Sequence, residues 1–257
     1  MYYDPYRYES RRIVPTLIFI NLLVFIAQQI FPDFFIYYFS LIPIFVTKKF
    51  FFWQFFTHMF LHGNFFHLFF NMFALFIFGV NLESIWGSKK FISYYIVSGL
   101  GGGLLHYIIN PSSPIPSIGA SGAIYGILLA YGLTFPESIL YINFFIPVKA
   151  KYAVIIFGVM ELLFGLSGTS SGIAHFAHLG GLLTGLVYLK LERFILSNMS
   201  GLKRNRIYKN FEEMENDRRR ERLNELLDKI SESGYNSLTE REKFELDDLS
   251  RWFRDKE

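Results

Sequence analysis

The chain has 257 residues, 52% apolar and 19% aromatic, with a formal charge of +3 and no cysteine, which excludes disulfides, thiol catalysis and thiolate metal sites. Charge is spread unevenly, because residues 1–200 hold only 11 of the 25 Lys and Arg and 7 of the 22 Asp and Glu. The division predicts a membrane-embedded body over 1–196 and a charged helical tail over 197–257, since a ~30 Å hydrocarbon layer demands apolar runs of about 20 residues.

Residues 1–12 are polar and aromatic, and the apolar stretch opening at Ile13 lacks a small-residue cleavage site, so it reads as a retained span. Further spans are predicted at 65–80, 91–109, 119–135, 152–166 and 175–195, the first being 13–31: an all-α, polytopic, six-helix bundle. An even number of spans puts both termini on one side, and basic residues at span ends identify it. Arg7, Arg11, Arg12, Lys89, Lys90, Lys149, Lys151, Lys190 and Arg193 fall on the terminal side, with only Lys48 and Lys49 opposite. Both termini are therefore expected in the cytoplasm, and the protein in a plasma membrane of the bacterial inner type.

The connection 32–64 is long, aromatic and weakly charged, and is expected to lie partly in the bilayer interface, where Phe, Tyr and Trp are favoured. The connection 110–118 carries Pro111, Pro114 and Pro116 and cannot be helical. Irregular backbone at membrane depth is tolerated only where protein buries it or it lines a wet cavity, which points to an internal, water-filled site. The tail reads as a soluble helical hairpin, with Leu223, Leu226, Leu227 and Ile230 on one helix and Leu246, Leu249, Trp252 and Phe253 on the other. Gly234 is expected to stop the first helix, and Ser237 with Glu240 to form the capping box of the second. Its mixed charge fits a solvated face or docking of a cytoplasmic partner, and it holds no nucleic-acid motif.

All six histidines, His58, His62, His67, His106, His175 and His178, lie in the body. Polar and ionisable groups at membrane depth are costly, so the cluster is a functional signal, although a single one such as His106 serves equally well as an interhelical hydrogen bond. The fourth span opens Gly119-Ala120-Ser121-Gly122, followed by Tyr125 and Gly126. Ser121 fits two roles there: a helix cap on a small-residue packing face, or a nucleophile, which needs a neighbouring base to take its proton.

The sixth span supplies that base in His178, with Gly181 and Gly185 on the same helical face, matched by Gly122 and Gly126 beside Ser121. Paired small residues let helices approach closely enough for a serine to imidazole contact. Tyr125, one turn from Ser121, can stack on the imidazole. The site is then a dyad, for no acidic residue stands near in sequence to complete a triad. Acyl transfer also needs donors for the oxyanion, and His67 and Asn71, at i and i+4 of the second span, supply them together with the Ser121 N–H at a helix start. Asn71 fits a bundle-stabilising hydrogen bond as well. A metal or haem protein using His58, His62 and His67, or His175 and His178, is the remaining alternative. HExxH is absent, and the expected metal and cofactor content is none.

With these residues assembled, the chain resembles the rhomboid intramembrane proteases across most of residues 50–190. The resemblance rests on Trp53-Gln54 in the first loop, on His67 and Asn71, on Gly119-Ala120-Ser121-Gly122 with Tyr125, and on Ala177-His178 with Gly181 and Gly185. It implies a six-helix bundle, a Ser121–His178 dyad, an oxyanion hole of Ser121, His67 and Asn71, and hydrolysis of peptide bonds in or beside the spans of single- or multi-span membrane-protein substrates. Gln54 stands where the family's loop often has arginine. Glu161 lies outside the catalytic pattern; the resemblance implies that its helix flanks a lateral substrate route, and Glu161 is expected to bond across that route or simply to pair with histidine or backbone groups. An inactive rhomboid-like, client-binding protein is the alternative function, though such relatives typically lack the serine or histidine.

Overall fold

The computed structural model describes residues 13–142, 145–167, 175–198 and 201–254, with the backbone alone for 201–215, 218 and 241. The basic residues Arg7, Arg11 and Arg12 lie outside the described residues. The chain divides into two compact units, Met1–Glu192 and Arg193–Glu257.

The first unit opens with α1 (Ile13–Ile30), followed by three short helices in the predicted interfacial connection: α2 (Pro32–Phe39), α3 (Pro43–Lys49) and α4 (Gln54–Thr57). Proline at the first turn suits α2 and α3, whose orphan N–H groups lie there. Then come α5 (Phe65–Ala74), a π turn (Leu75–Gly79) and α6 (Val80–Trp86), continuous as Phe65–Trp86, so this helix outruns its expected end at 80. α7 (Ser88–Ile109), α8 (Ser121–Thr134), α9 (Ala150–Ser167) and α10 (His175–Asn198) complete the helices. The proline-rich segment 110–118 is non-helical, as its residues require, and an antiparallel bridge ties Leu41 to Ser117.

Among the described residues four helices, Ile13–Ile30, Phe65–Trp86, Ser88–Ile109 and Ala150–Ser167, are long and apolar enough to cross a membrane. Their outward residues are large and apolar: Phe19, Leu23, Ile26 and Ile30 on α1 are about half exposed. Lipid is the solvent that leaves such a surface without cost. The protein is mostly helical and an integral membrane protein. A departure from an all-α body is the ribbon β1 (Ile139–Ile142) and β2 (Ile146–Lys149), paired antiparallel with Ile139 opposite Lys149. Its β-branched, alternating residues between α8 and α9 prefer a pleated pair. Beside it Glu137 binds Lys149 at 2.7 Å and also pairs with Lys151.

Two contacts fix the bundle ends. Glu83, buried on α6, accepts from the backbone N–H groups of Ile13 at 2.6 Å and Val14 at 3.0 Å. A carboxylate from another helix thus satisfies the positive start of α1. Gln54, also buried, accepts from Ile42 N at 3.0 Å and donates to the Tyr37 carbonyl at 3.2 Å. The residue standing in for arginine therefore closes the interfacial loop through neutral hydrogen bonds.

The second unit contains α11 (Gly201–Ser233), Gly234 at φ 79°, a 3₁₀ turn and α12 (Glu240–Arg254). Leu226, Leu238 and Leu249 are buried together, with Leu223, Ile230 and Leu246 packed around them. Leu227, expected inside, is 47% exposed, while Leu238, just after the turn, is buried in the cluster. The capping box forms two residues later than expected. Thr239 N donates to Glu242 Oε2 at 2.8 Å and Glu242 N to Thr239 Oγ1 at 3.3 Å, since the 3₁₀ turn consumes Tyr235–Ser237.

Candidate active site

Glycine decides where the site can form. At Gly181 on α10 an added Cβ would fall on the Gly122 carbonyl of α8, and at Gly126 it would stand 3.2 Å from the Gly181 carbonyl. The two backbones are in contact, through the faces predicted from their glycine spacing. α7 joins them: a Cβ at Gly102 would meet the Ala177 carbonyl at 2.6 Å. The small residues of Ser98–Gly103, at helical spacing, are the sequence signal for this third approach.

α8 begins at Ser121 with Ala120 in the cap position and no side-chain cap bond. The Ser121 hydroxyl is therefore released from capping, and its Oγ lies 2.7 Å from His178 Nε2. The Tyr125 ring stacks on the imidazole at 4.4 Å between centroids and 9° between planes, which fixes the ring's orientation.

His67 stands on the other side of Ser121. Gly63 N donates to His67 Nδ1 at 3.3 Å, so the neutral ring carries its proton on Nε2. Gly119, at φ 125°, separates the two: a Cβ there would meet His67 Nε2 at 2.8 Å and Ser121 Oγ at 3.6 Å. Only a residue free to adopt that backbone and lacking a side chain leaves the two side by side. Asn64 caps α5 by accepting from His67 N at 2.9 Å. Asn71 is buried one turn on, its Nδ2 donating to the His67 carbonyl at 2.7 Å, which leaves a second amide N–H for another acceptor. This bond lies within α5 itself, between residues one turn apart.

Of the other histidines, His58 lies behind the site, its carbonyl accepting from Gly119 N at 2.9 Å and its Nδ1 2.9 Å from the Gln54 carbonyl. His62 is buried, with its backbone held by Gln28. His175 Nδ1 lies 2.6 Å from Glu161 Oε2. Glu161 also accepts from the Tyr125 hydroxyl, and its Oε1 stands 3.0 Å from His178 Nδ1. Glu161, His175 and His178 offer ligand atoms within 4.8 Å of one another, a donor set that a divalent cation could use. The expected pairing of Glu161 with histidine is present; which histidines it meets was not legible, since Glu161 is on α9 and no local spacing links it to His178. Its signal was being the one acid of an otherwise apolar span.

The Rhomboid domain matches residues 49–193, more than half of the chain, and the chain belongs to the rhomboid family. Residues 209–252 match a family of unknown function, DUF6576. The chain is 36% identical to RHOMBOID-like protein 6, mitochondrial, of Arabidopsis thaliana over 52% of its own length and 41% of the relative's. It is 32% identical to Rhomboid protease AarA of Providencia stuartii over 52% of the chain and 53% of that protein. It is 37% identical to Rhomboid-like protease 5 of Toxoplasma gondii over 51% of the chain and 15% of that protein. The chain thus spans about half or less of these relatives.

Proposed function

We propose that the chain is an intramembrane serine endopeptidase that hydrolyses peptide bonds in or next to the spans of membrane-protein substrates. The observation carrying this reading is the 2.7 Å separation of Ser121 Oγ and His178 Nε2 at a contact lined by glycine backbones. In the reaction His178 takes the hydroxyl proton, the Ser121 oxygen attacks the scissile carbonyl, and the tetrahedral oxyanion accepts from Ser121 N–H, His67 Nε2 and the Asn71 amide. The imidazolium returns its proton to the leaving amine. Water then cleaves the acyl-enzyme with His178 again as base.

The proposed topology is six spans, with α8 and α10 added to the four long apolar helices, both termini on the cytoplasmic face of a bacterial inner membrane, and the tail there as a soluble helical hairpin. α8 is 14 residues, long enough only if Ser121 lies below the membrane surface. The membrane-embedded protease is assigned to 1–196 and the tail to 197–257, the latter docking a cytoplasmic partner.

Detergent-solubilised protein incubated with a single-span substrate tests the reading, beside Ser121→Ala and His178→Ala. Cleavage that persists in Ser121→Ala would remove the assignment. No cleavage by well-folded wild type, together with retained substrate binding, would favour an inactive client-binding protein.

A further inference from the structure

We propose that Glu161 is a positioning residue for His178, the acidic third member of a Ser121–His178–Glu161 line held in place by His175 and Tyr125. The inference rests on the dyad reading and extends it. α9 places nearly all its large residues outward, with Ile155, Val159, Leu162, Leu163 and Leu166 each at least 42% exposed, yet Glu161 is 8% exposed. A carboxylate buried on an apolar helix is costly unless several donors meet it. Glu161 has them: His175 Nδ1 at 2.6 Å on Oε2 and the Tyr125 hydroxyl on Oε1.

Those two groups anchor the carboxylate from different helices, and the oxygen that accepts from Tyr125 is the one 3.0 Å from His178 Nδ1. That nitrogen is buried with no aligned hydrogen-bond acceptor among the described residues, so the contact with Glu161 is close but off-line. His178 Nε2 must accept the Ser121 proton, which requires the other nitrogen, Nδ1, to carry the N–H in the resting ring. When the hydroxyl proton passes to Nε2, the ring becomes an imidazolium whose Nδ1 lies 3.0 Å from the Glu161 carboxylate. The carboxylate stabilises that cation and holds the tautomer without itself taking the proton. Tyr125 then acts twice, stacking on the imidazole and orienting the carboxylate that neutralises it.

The test compares wild type with Glu161→Gln and Glu161→Asp, reading kcat and KM on a single-span substrate and the rate at which a small fluorophosphonate labels Ser121, after EDTA treatment. Glu161→Gln keeps the side chain's shape, and melting in detergent checks its fold. Expected is a fall in kcat and labelling rate together by about ten- to a hundredfold at unchanged KM, as for other groups that orient a functional imidazole. This is smaller than the ~10⁴ lost with a fully aligned triad acid. Glu161→Asp should recover part of both. Labelling unchanged with KM raised would mean that Glu161 only packs α9, and would overturn the proposal while leaving the dyad intact. Wild-type activity that changes on EDTA treatment, in a way abolished by Glu161→Gln, would make the cluster a cation site and overturn it too. A wild type that neither cleaves nor is labelled would remove the dyad and this inference together.

Discussion

Ala120 and Ser121 divide two tasks at the start of α8. The cap position goes to a residue with no side-chain donor or acceptor, so the serine hydroxyl is left for His178. The residues around it separate by role. Tyr125→Phe keeps the ring stacked on His178 and loses only the hydroxyl on Glu161, so steady-state assays should show a loss of a few fold at most. Tyr125→Ala loses the stack as well and should cost more; equal losses would remove the orienting role. Asn71→Ala removes one of the proposed oxyanion donors and should lower kcat by about 10²- to 10³-fold with KM little changed. A change confined to KM would assign Asn71 to substrate binding or to bundle packing.

Elements are held by close backbone contact and by carboxylates at helix starts. Without a hydrophobic drive between helices in lipid, α7, α8 and α10 associate by packing, and their glycines set how closely. Gly181→Val puts a branched side chain against the Gly122 carbonyl and should destabilise the bundle by about 1–3 kcal/mol, separating Ser121 from His178. Lower melting temperature and lost fluorophosphonate labelling are the expected signs, and unchanged labelling would mean that the contact does not set the dyad. Glu83→Ala frees two N–H groups of α1 and should cost about 1–2 kcal/mol in thermal melts. On α12, Lys229 and the Thr239 backbone hold the Glu242 carboxyl down at about 2, against an ordinary 4.5. A depressed folded value means that the cap's contribution is present above about pH 4.5 and is lost as pH falls towards 2. Amide exchange at Glu242 and Lys243 should stay protected at pH 5 and lose protection below pH 4.

For the whole molecule, two units with contrasting cores share one chain. The first exposes apolar side chains and buries polar ones such as Asn21, Gln28, Gln54 and Glu83, and the second buries Leu226, Leu238 and Leu249 beneath charge. Deleting 201–257 should leave cleavage by purified protein within about twofold, since no proposed catalytic group lies there. A large loss would place the tail in catalysis instead of partner docking.

Composition and spacing alone identify the membrane class, most helix positions, the small-residue faces of α8 and α10, and Ser121 and His178 as facing candidates. Hydropathy length, helical spacing and the price of polar groups in lipid act locally along the chain, so composition and periodicity carry them. Tertiary structure decided what sits opposite what. It placed His67 against Gly119, brought α7 into the glycine contact, drew Glu161 across from α9 to His175 and His178, folded 139–149 into a ribbon and moved the α12 cap to Thr239. Each depends on the approach of segments distant in sequence, a distance that packing fixes and that no local pattern encodes.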